Sequence, residues 1–186
     1  LEMKRYHPTH GSRKLDELIF IEFNQRIRVD EIAKHIEIHF NGQRHSLKPA
    51  TQAEIEADSQ IRALTQRAID QQYVVLKYRG DLPRASKVTV KVRKTAPSAE
   101  GPKTAIEDKS FSFHTYEPLK IVSSRCGWSK NCRPSDSWSI QFNNSLDLDG
   151  FDPDAIRVEP SIPGLSVRPV GRTIHFEGMM QGRNNY

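Results

Sequence analysis

The sequence predicts a mainly β protein made of two tandem antiparallel β-sandwiches, the first with a helical insertion and the second incomplete. Three observations predict it. Short apolar–polar alternations recur at sandwich-like spacing. A strand ending in Phe-Asn occurs twice, 119 residues apart. A run rich in Ala, Glu, Gln and Arg breaks the alternation once, between Thr51 and Ile69.

Composition sets the bounds. A length of 186 residues admits one domain or two small ones. No stretch nears the ~18 consecutive apolar residues of a membrane helix, and Leu1-Glu2-Met3-Lys4-Arg5 has no apolar segment behind it to act as a secretion signal. A chain opening at Leu is expected to be a processed or excised piece. The net charge is +5. Residues 1–115 hold 20 basic and 15 acidic groups, and residues 116–186 hold 8 of each. The excess is interspersed with acids along the chain rather than gathered in a run, so nucleic acid is not an expected partner.

The first copy opens its repeat with IFIEFNQRI (19–27). Ile19, Ile21 and Phe23 fall on one face, and Asn24 tolerates the turn that follows. HIEIHF (35–40) is a second strand, closed by Asn41-Gly42, a strong hairpin-turn pair. Thr51 and Glu54 have the spacing of a capping box. Ile55, Ile61, Leu64 and Ala68 add a helical stripe, so one helix or two short ones are expected near 51–69. QYVVLKYRG (72–80), SKVTVKVRK (86–94) and KSFSFHTY (109–116) complete the copy. In these, Val88, Val90, Val92, Phe111 and Phe113 point inward, and Pro and Gly mark the loop 95–103. The predicted boundaries are 1–116 and 117–186.

In the second copy, SIQFNNSL (139–146) answers the opening strand: Ile140 matches Ile21, Phe142 matches Phe23, Asn143 matches Asn24 and Leu146 matches Ile27. After a slip of one residue, Ala155-Ile156-Arg157-Val158 falls opposite His35-Ile36-Glu37-Ile38. Strands are expected at 119–124, 137–143, 156–162, 165–170 and 173–178. Residues 179–186 then align with the connection 81–88, which predicts that the last strands of this copy are missing and that the chain is part of something longer. No helical insert is expected here. The short Thr115–Pro118 linker predicts a rigid offset between copies. The spacing is sandwich-like.

LPRASKVTVKVRKTAPSAEGP (82–102), FSFHTYEPLKIV (111–122), the Cys-Gly-Trp…Cys loop, WSIQFNNSLD (138–147) and IRVEPSIPGL (156–165) resemble, in order and spacing, the N-terminal macroglobulin-type domains of bacterial alpha-2-macroglobulin-like proteins. The resemblance covers almost the whole chain. It implies fibronectin-like modules of a secreted or periplasmic protease inhibitor whose full-length form entraps target proteases. It also implies neighbouring domains of the same parent chain as partners, and membrane contact only through an anchor outside these residues. The family's thioester motif, Cys-x-x-Gln, has no counterpart. Cys126 is followed by Gly-Trp-Ser and Cys132 by Arg-Pro-Ser. Architecture carries over, then, and no catalytic residue does. The alternatives are a cell-surface adhesion repeat of immunoglobulin type and an accessory carbohydrate-binding region of a secreted hydrolase.

The candidate sites are few. Cys126 and Cys132 are close enough in sequence to form a small disulfide ring in an oxidising compartment; the other reading is two unpaired loop thiols. His35, Glu37 and His39 would share one face of a strand, where the polar, solvated face of a sandwich outweighs a metal site. Asp147, Asp149, Asp152 and Asp154 surround Gly150 with oxygen ligands that could suit calcium, without the EF-hand spacing; ordinary turn formation is the competing reading, with Phe151 in the core. Trp128 and Trp138 offer a carbohydrate platform, against packing over the loop and core. No nucleophile elbow or phosphate-cradling glycine loop occurs. No catalytic residue, metal or cofactor is expected, and the chain is read as a non-enzyme. His7 and His10 are placed in a mobile start.

Overall fold

In the computed structural model, residues 1–9, 11–127, 133 and 136–179 are described. The chain divides into two units, Leu1–Tyr116 and Glu117–Tyr186. The protein is mainly β and sandwich-like.

The first unit contains β1 (Met3–His7), β2 (Ser12–Arg13), β3 (Ile19–Phe23), α1 (Val29–Ile32), a 3-10 turn (Ala33–His35), β4 (Ile36–Phe40), β5 (Gln43–Pro49), α2 (Gln52–Ala57), α3 (Ser59–Thr65), β6 (Tyr73–Tyr78), β7 (Lys87–Val92) and β8 (Lys109–Thr115). Its eight strands run in the order β1-β3-β6-β5-β4-β7-β8-β2 in one curled sheet. Asn41 and Gly42 both take positive φ, 50° and 72°, as a two-residue hairpin turn requires, and fold β5 back on β4. The curl brings β1-β3-β6-β5 over β4-β7-β8-β2. Ile19, Ile21 and Phe23 meet Ile36, Ile38, Val88, Val90 and Phe113 between them, and Tyr6 stacks on Phe111 with ring centroids 4.3 Å apart.

Three strands were not expected. The start is ordered: β1 pairs with β3, and His7 is buried with its Nε2 2.9 Å from Glu17 Oε1. His10 lies outside the described residues. β2 is a two-residue edge piece parallel to β8, the one exception to antiparallel pairing among the described strands. β5 carries few apolar residues, so its alternation is weak; the Asn41-Gly42 turn is what places it.

The opening strand was expected to bury one face. All five residues of β3 are buried, because the helical insert covers the other side. Thr51 and Glu54 form the capping box, with Glu54 N–H donating to Thr51 Oγ1 at 3.3 Å and Thr51 N–H to Glu54 Oε2 at 2.8 Å. Asp58 ends α2 and caps α3, accepting from the N–H groups of Gln60 and Ile61 at 3.1 and 3.0 Å. The predicted stripe then seals a second core: Ile61, with Ile55, Leu64 and Ala68, packs on Leu18, Phe20 and Val75.

The second unit contains β9 (Ile121–Cys126), β10 (Trp138–Phe142), a 3-10 turn (Pro153–Ala155), β11 (Ser166–Val170) and β12 (Thr173–Glu177). Its sheet order is β11-β12-β10-β9. The expected strand 156–162 does not form. Its counterpart β4 is held between β5 and β7, and no described strand of the second unit takes the place of β7.

The two copies repeat at atomic detail. Asn24 donates its N–H to Glu2 O at 3.0 Å while its Oδ1 accepts from Glu2 N–H at 2.8 Å. Asn143 and Lys120 make the same reciprocal pair at 3.1 and 2.8 Å. Met3 pairs with Phe23 and Ile121 with Phe142, and a register slip follows at the same step in each. Phe23 N–H donates to Gln72 O at 2.7 Å, and Phe142 N–H to Arg172 O at 2.9 Å. Ile27 reaches Gln71 O and Leu146 reaches Gly171 O, with Gln71 and Gly171 at φ 62° and 58°. The layer β1-β3-β6-β5 therefore corresponds strand for strand to β9-β10-β12-β11. The insert occupies the β5–β6 connection, which in the second copy is the two-residue turn Gly171-Arg172.

This correspondence explains the outward positions. Phe20 faces Val75 across β3 and β6 under the helices, whereas the equivalent cross-strand pair in the second copy is Ser139 and His175. Where no helix covers the sheet, polar residues stand.

Candidate interaction surfaces

In β4, Ile36, Ile38 and Phe40 enter the core, which puts Glu37 and His39 on the opposite face. That face was expected to be solvated. Glu37 is instead only 8% exposed, because three cation-capable side chains close over its carboxylate. Arg93 Nε lies at 2.8 Å, His39 Nε2 at 3.2 Å and Arg44 Nη1 at 3.3 Å. Arg44 arrives from the β5 residue opposite His39, and Arg93 from just beyond β7. A carboxylate this buried is stabilised only while paired and hydrogen-bonded. His35 does not join them: it ends the 3-10 turn, with Nδ1 2.9 Å from Thr95 Oγ1. Around this cluster the hairpin, α1 and Arg79 enclose a hollow of ≈ 620 Å³.

A second hollow, of ≈ 380 Å³, lies between the sheet and the helical insert. Two ion pairs stand in its lining. Lys14 Nζ sits 3.0 Å from Asp58 Oδ2, and Lys77 pairs with Glu54. Burial works to raise the Asp58 carboxyl, but the Ile61 N–H, the Lys14 ammonium and the Gln60 N–H together hold it below its ordinary range. Further along the same outer face, Glu22 is buried against Arg5, with Ile69 N–H donating to Oε1 at 3.4 Å. Desolvation again opposes, and Arg5 and the Ile69 N–H outweigh it to lower the Glu22 carboxyl. At the equivalent position of the second copy, Ser123 and Gln141 make a neutral hydrogen bond.

In the second unit, the Asp-rich loop uses its carboxylates on its own backbone. Asp147 Oδ1 accepts from the N–H groups of Asp149 and Gly150 at 3.2 Å each, and Asp152 Oδ1 from Asp154 N–H at 2.9 Å, capping the 3-10 turn. This is turn chemistry. Phe151 is half-buried rather than core. Cys126 ends β9, while Cys132 and Trp128 lie outside the described residues. Trp138 is half-buried and shares a hollow of ≈ 200 Å³ with Ile140, Ile156 and Phe176.

Sequence reading missed two clusters. The His7–Glu17 pair joins a strand to a loop ten residues on, with no local pattern to announce it. The Glu37 cluster had a legible half: the hairpin turn sets His39 opposite Arg44. Arg93 could be added only once β7 was paired with β4. The apolar stripe of the insert is occupied within its own unit.

These features define a class: mainly β, sandwich-like units that share a duplicated four-stranded layer, the first with charge-lined hollows. No family model matches the chain, and no curated protein matches it.

Proposed function

We propose that these residues are two non-catalytic scaffold modules of a secreted or periplasmic protein of alpha-2-macroglobulin type, whose full-length form inhibits proteases by entrapment. The duplicated layer carries the reading. A strand pair with the same Asn clamp, register slip and sheet order in both units is what serial module duplication leaves behind, and scaffolds of this type are built by such repetition. The resemblance of the ordered motifs between residues 82 and 165 supports the family. The paired carboxylates support a structural role: buried Glu37 and Glu22 and half-buried Asp58 hold elements together. The partners on this reading are neighbouring domains of the parent chain and, through the whole molecule, target proteases.

The test uses the full-length parent mixed with a protease. Entrapment leaves cleavage of a small amide substrate intact while a large protein substrate is spared. Equal cleavage of both substrates overturns the inhibitor reading and leaves the adhesion-repeat alternative, in which the parent gene repeats this unit many times.

A further inference from the structure

The ≈ 620 Å³ hollow of the first unit is lined by Lys34, Arg44, Lys48, Arg79 and Arg93 against Asp30 and Glu37. Five cations against two acids leave +3 there, in a chain whose whole excess is +5. Folding thus gathers charges that are dispersed along the sequence. Arg44 and Arg93 each engage Glu37 through one nitrogen, and a guanidinium has further N–H donors to offer. Lys34 and Arg79 are exposed, and neither has a carboxylate within ion-pair distance among the described residues.

In the sequence alignment of the two copies Asp154 and Arg157 stand opposite Lys34 and Glu37, and Arg157 pairs with Glu159 at 2.6 Å. We infer that this hollow binds a compact, multivalent oxyanion carrying two or more phosphate or sulfate groups. Glu37 holds Arg44 and Arg93 in place, while Lys34 and Arg79 are free to pair with the ligand. Arginine's fork matches tetrahedral oxyanions in a way that adds geometry to charge. The size falls within the range of small-ligand sites. A concave pocket is not the extended basic stripe that a duplex backbone needs. The inference goes beyond the scaffold reading and does not depend on it.

Calorimetry with inositol hexakisphosphate and with sucrose octasulfate, at low and at physiological salt, tests it on the whole chain. Wild type is expected to bind at least one probe, more weakly at higher salt. The double variant Lys34→Ala/Arg79→Ala is expected to bind about tenfold more weakly, a few-fold for each exposed ion pair lost, with its melting temperature unchanged. The control pair Lys87→Ala/Lys103→Ala, outside the hollow, is expected to bind like wild type. Co-sedimentation with phosphatidylcholine vesicles containing cardiolipin separates the sources: binding lost in the double variant assigns a lipid headgroup, and binding of the soluble probes alone assigns a free ligand. Wild type binding neither probe overturns the inference. So does equal weakening in the control pair, or duplex DNA bound as tightly as the probes.

Discussion

The helical insert should be held by one aromatic side chain. Phe20 is fully buried (0% exposed) beneath α3, touching Ile61 and Val75, and its ring lies 5.8 Å from that of Tyr73. Replacing it with Ala removes the side chain on which the insert closes. Phe→Ala substitutions in well-packed cores cost about 3–5 kcal/mol, transfer and cavity together. At roughly 4 °C per kcal/mol for a unit of this size, the first unit should melt about 12–20 °C lower. The loss should also be local. In hydrogen exchange, the amides of α2 and α3 should lose protection before those of β7 and β8, which pack in the other core. A double-mutant cycle with Ile61→Ala should show coupling of about 0.5–3 kcal/mol, whereas Phe20→Ala with Val90→Ala should be additive, since the two lie in separate cores. In the uncovered copy, Ser139→Ala should change stability by less than about 0.5 kcal/mol. Additivity between Phe20 and Ile61, or helices that stay protected in Phe20→Ala, would refute the argument that the insert is a cover for the outer face of β3 and β6.

Three further outcomes follow from the same contacts. Asn24→Ala and Asn143→Ala should each lose the side-chain half of the reciprocal clamp, about 1 kcal/mol, with each loss confined to its own unit in unit-resolved hydrogen exchange. Asp58 titrates below its usual 3.8 in the folded chain, so its contribution is complete above that value and is lost as pH falls through the lowered one. Asp58→Asn keeps a good helix cap while removing the charge, and acid unfolding curves of the first unit should therefore become less steep below about pH 4. If Cys126 and Cys132 form the proposed ring, the denatured, unreduced chain should take up no iodoacetamide, whereas uptake of two labels would show two thiols.

The strands with strong alternation were legible because each buries its apolar face: Val88, Val90 and Val92 in β7, Phe111 and Phe113 in β8. β1 and β5 were not. MKRYH and QRHSLKP are held by a pairing partner and a turn rather than by a hydrophobic period, and period is the primary strand signal in a single sequence. Residues 156–162 failed the other way. They have the β4 pattern but lack a described neighbour on the β7 side, and a strand needs a ladder as well as a pattern. The candidate surface was less legible still, because Lys34, Arg79 and Arg93 become neighbours only through the successive pairing of β7, β4, β5 and β6.

The duplication also held information about the insert that a comparison of outward-facing positions would have exposed. Once Ile21 is aligned with Ile140, the residue before it is Phe20 in one copy and Ser139 in the other. In a half-buried strand those positions face water, and a large aromatic there exposes apolar surface at a cost of about 25 cal/mol per Å². An outward Phe in one copy, a Ser in the other, and a helical run with an apolar stripe present only beside the Phe have one economical physical solution: the run lies over the strand. The same difference accounts for Glu22. Under the insert a carboxylate can be buried because Arg5 and the Ile69 N–H complete it, and at the uncovered position a neutral Gln141 suffices. The two copies thus share a backbone plan, and they diverge in side-chain polarity where one of them acquired a lid for its sheet.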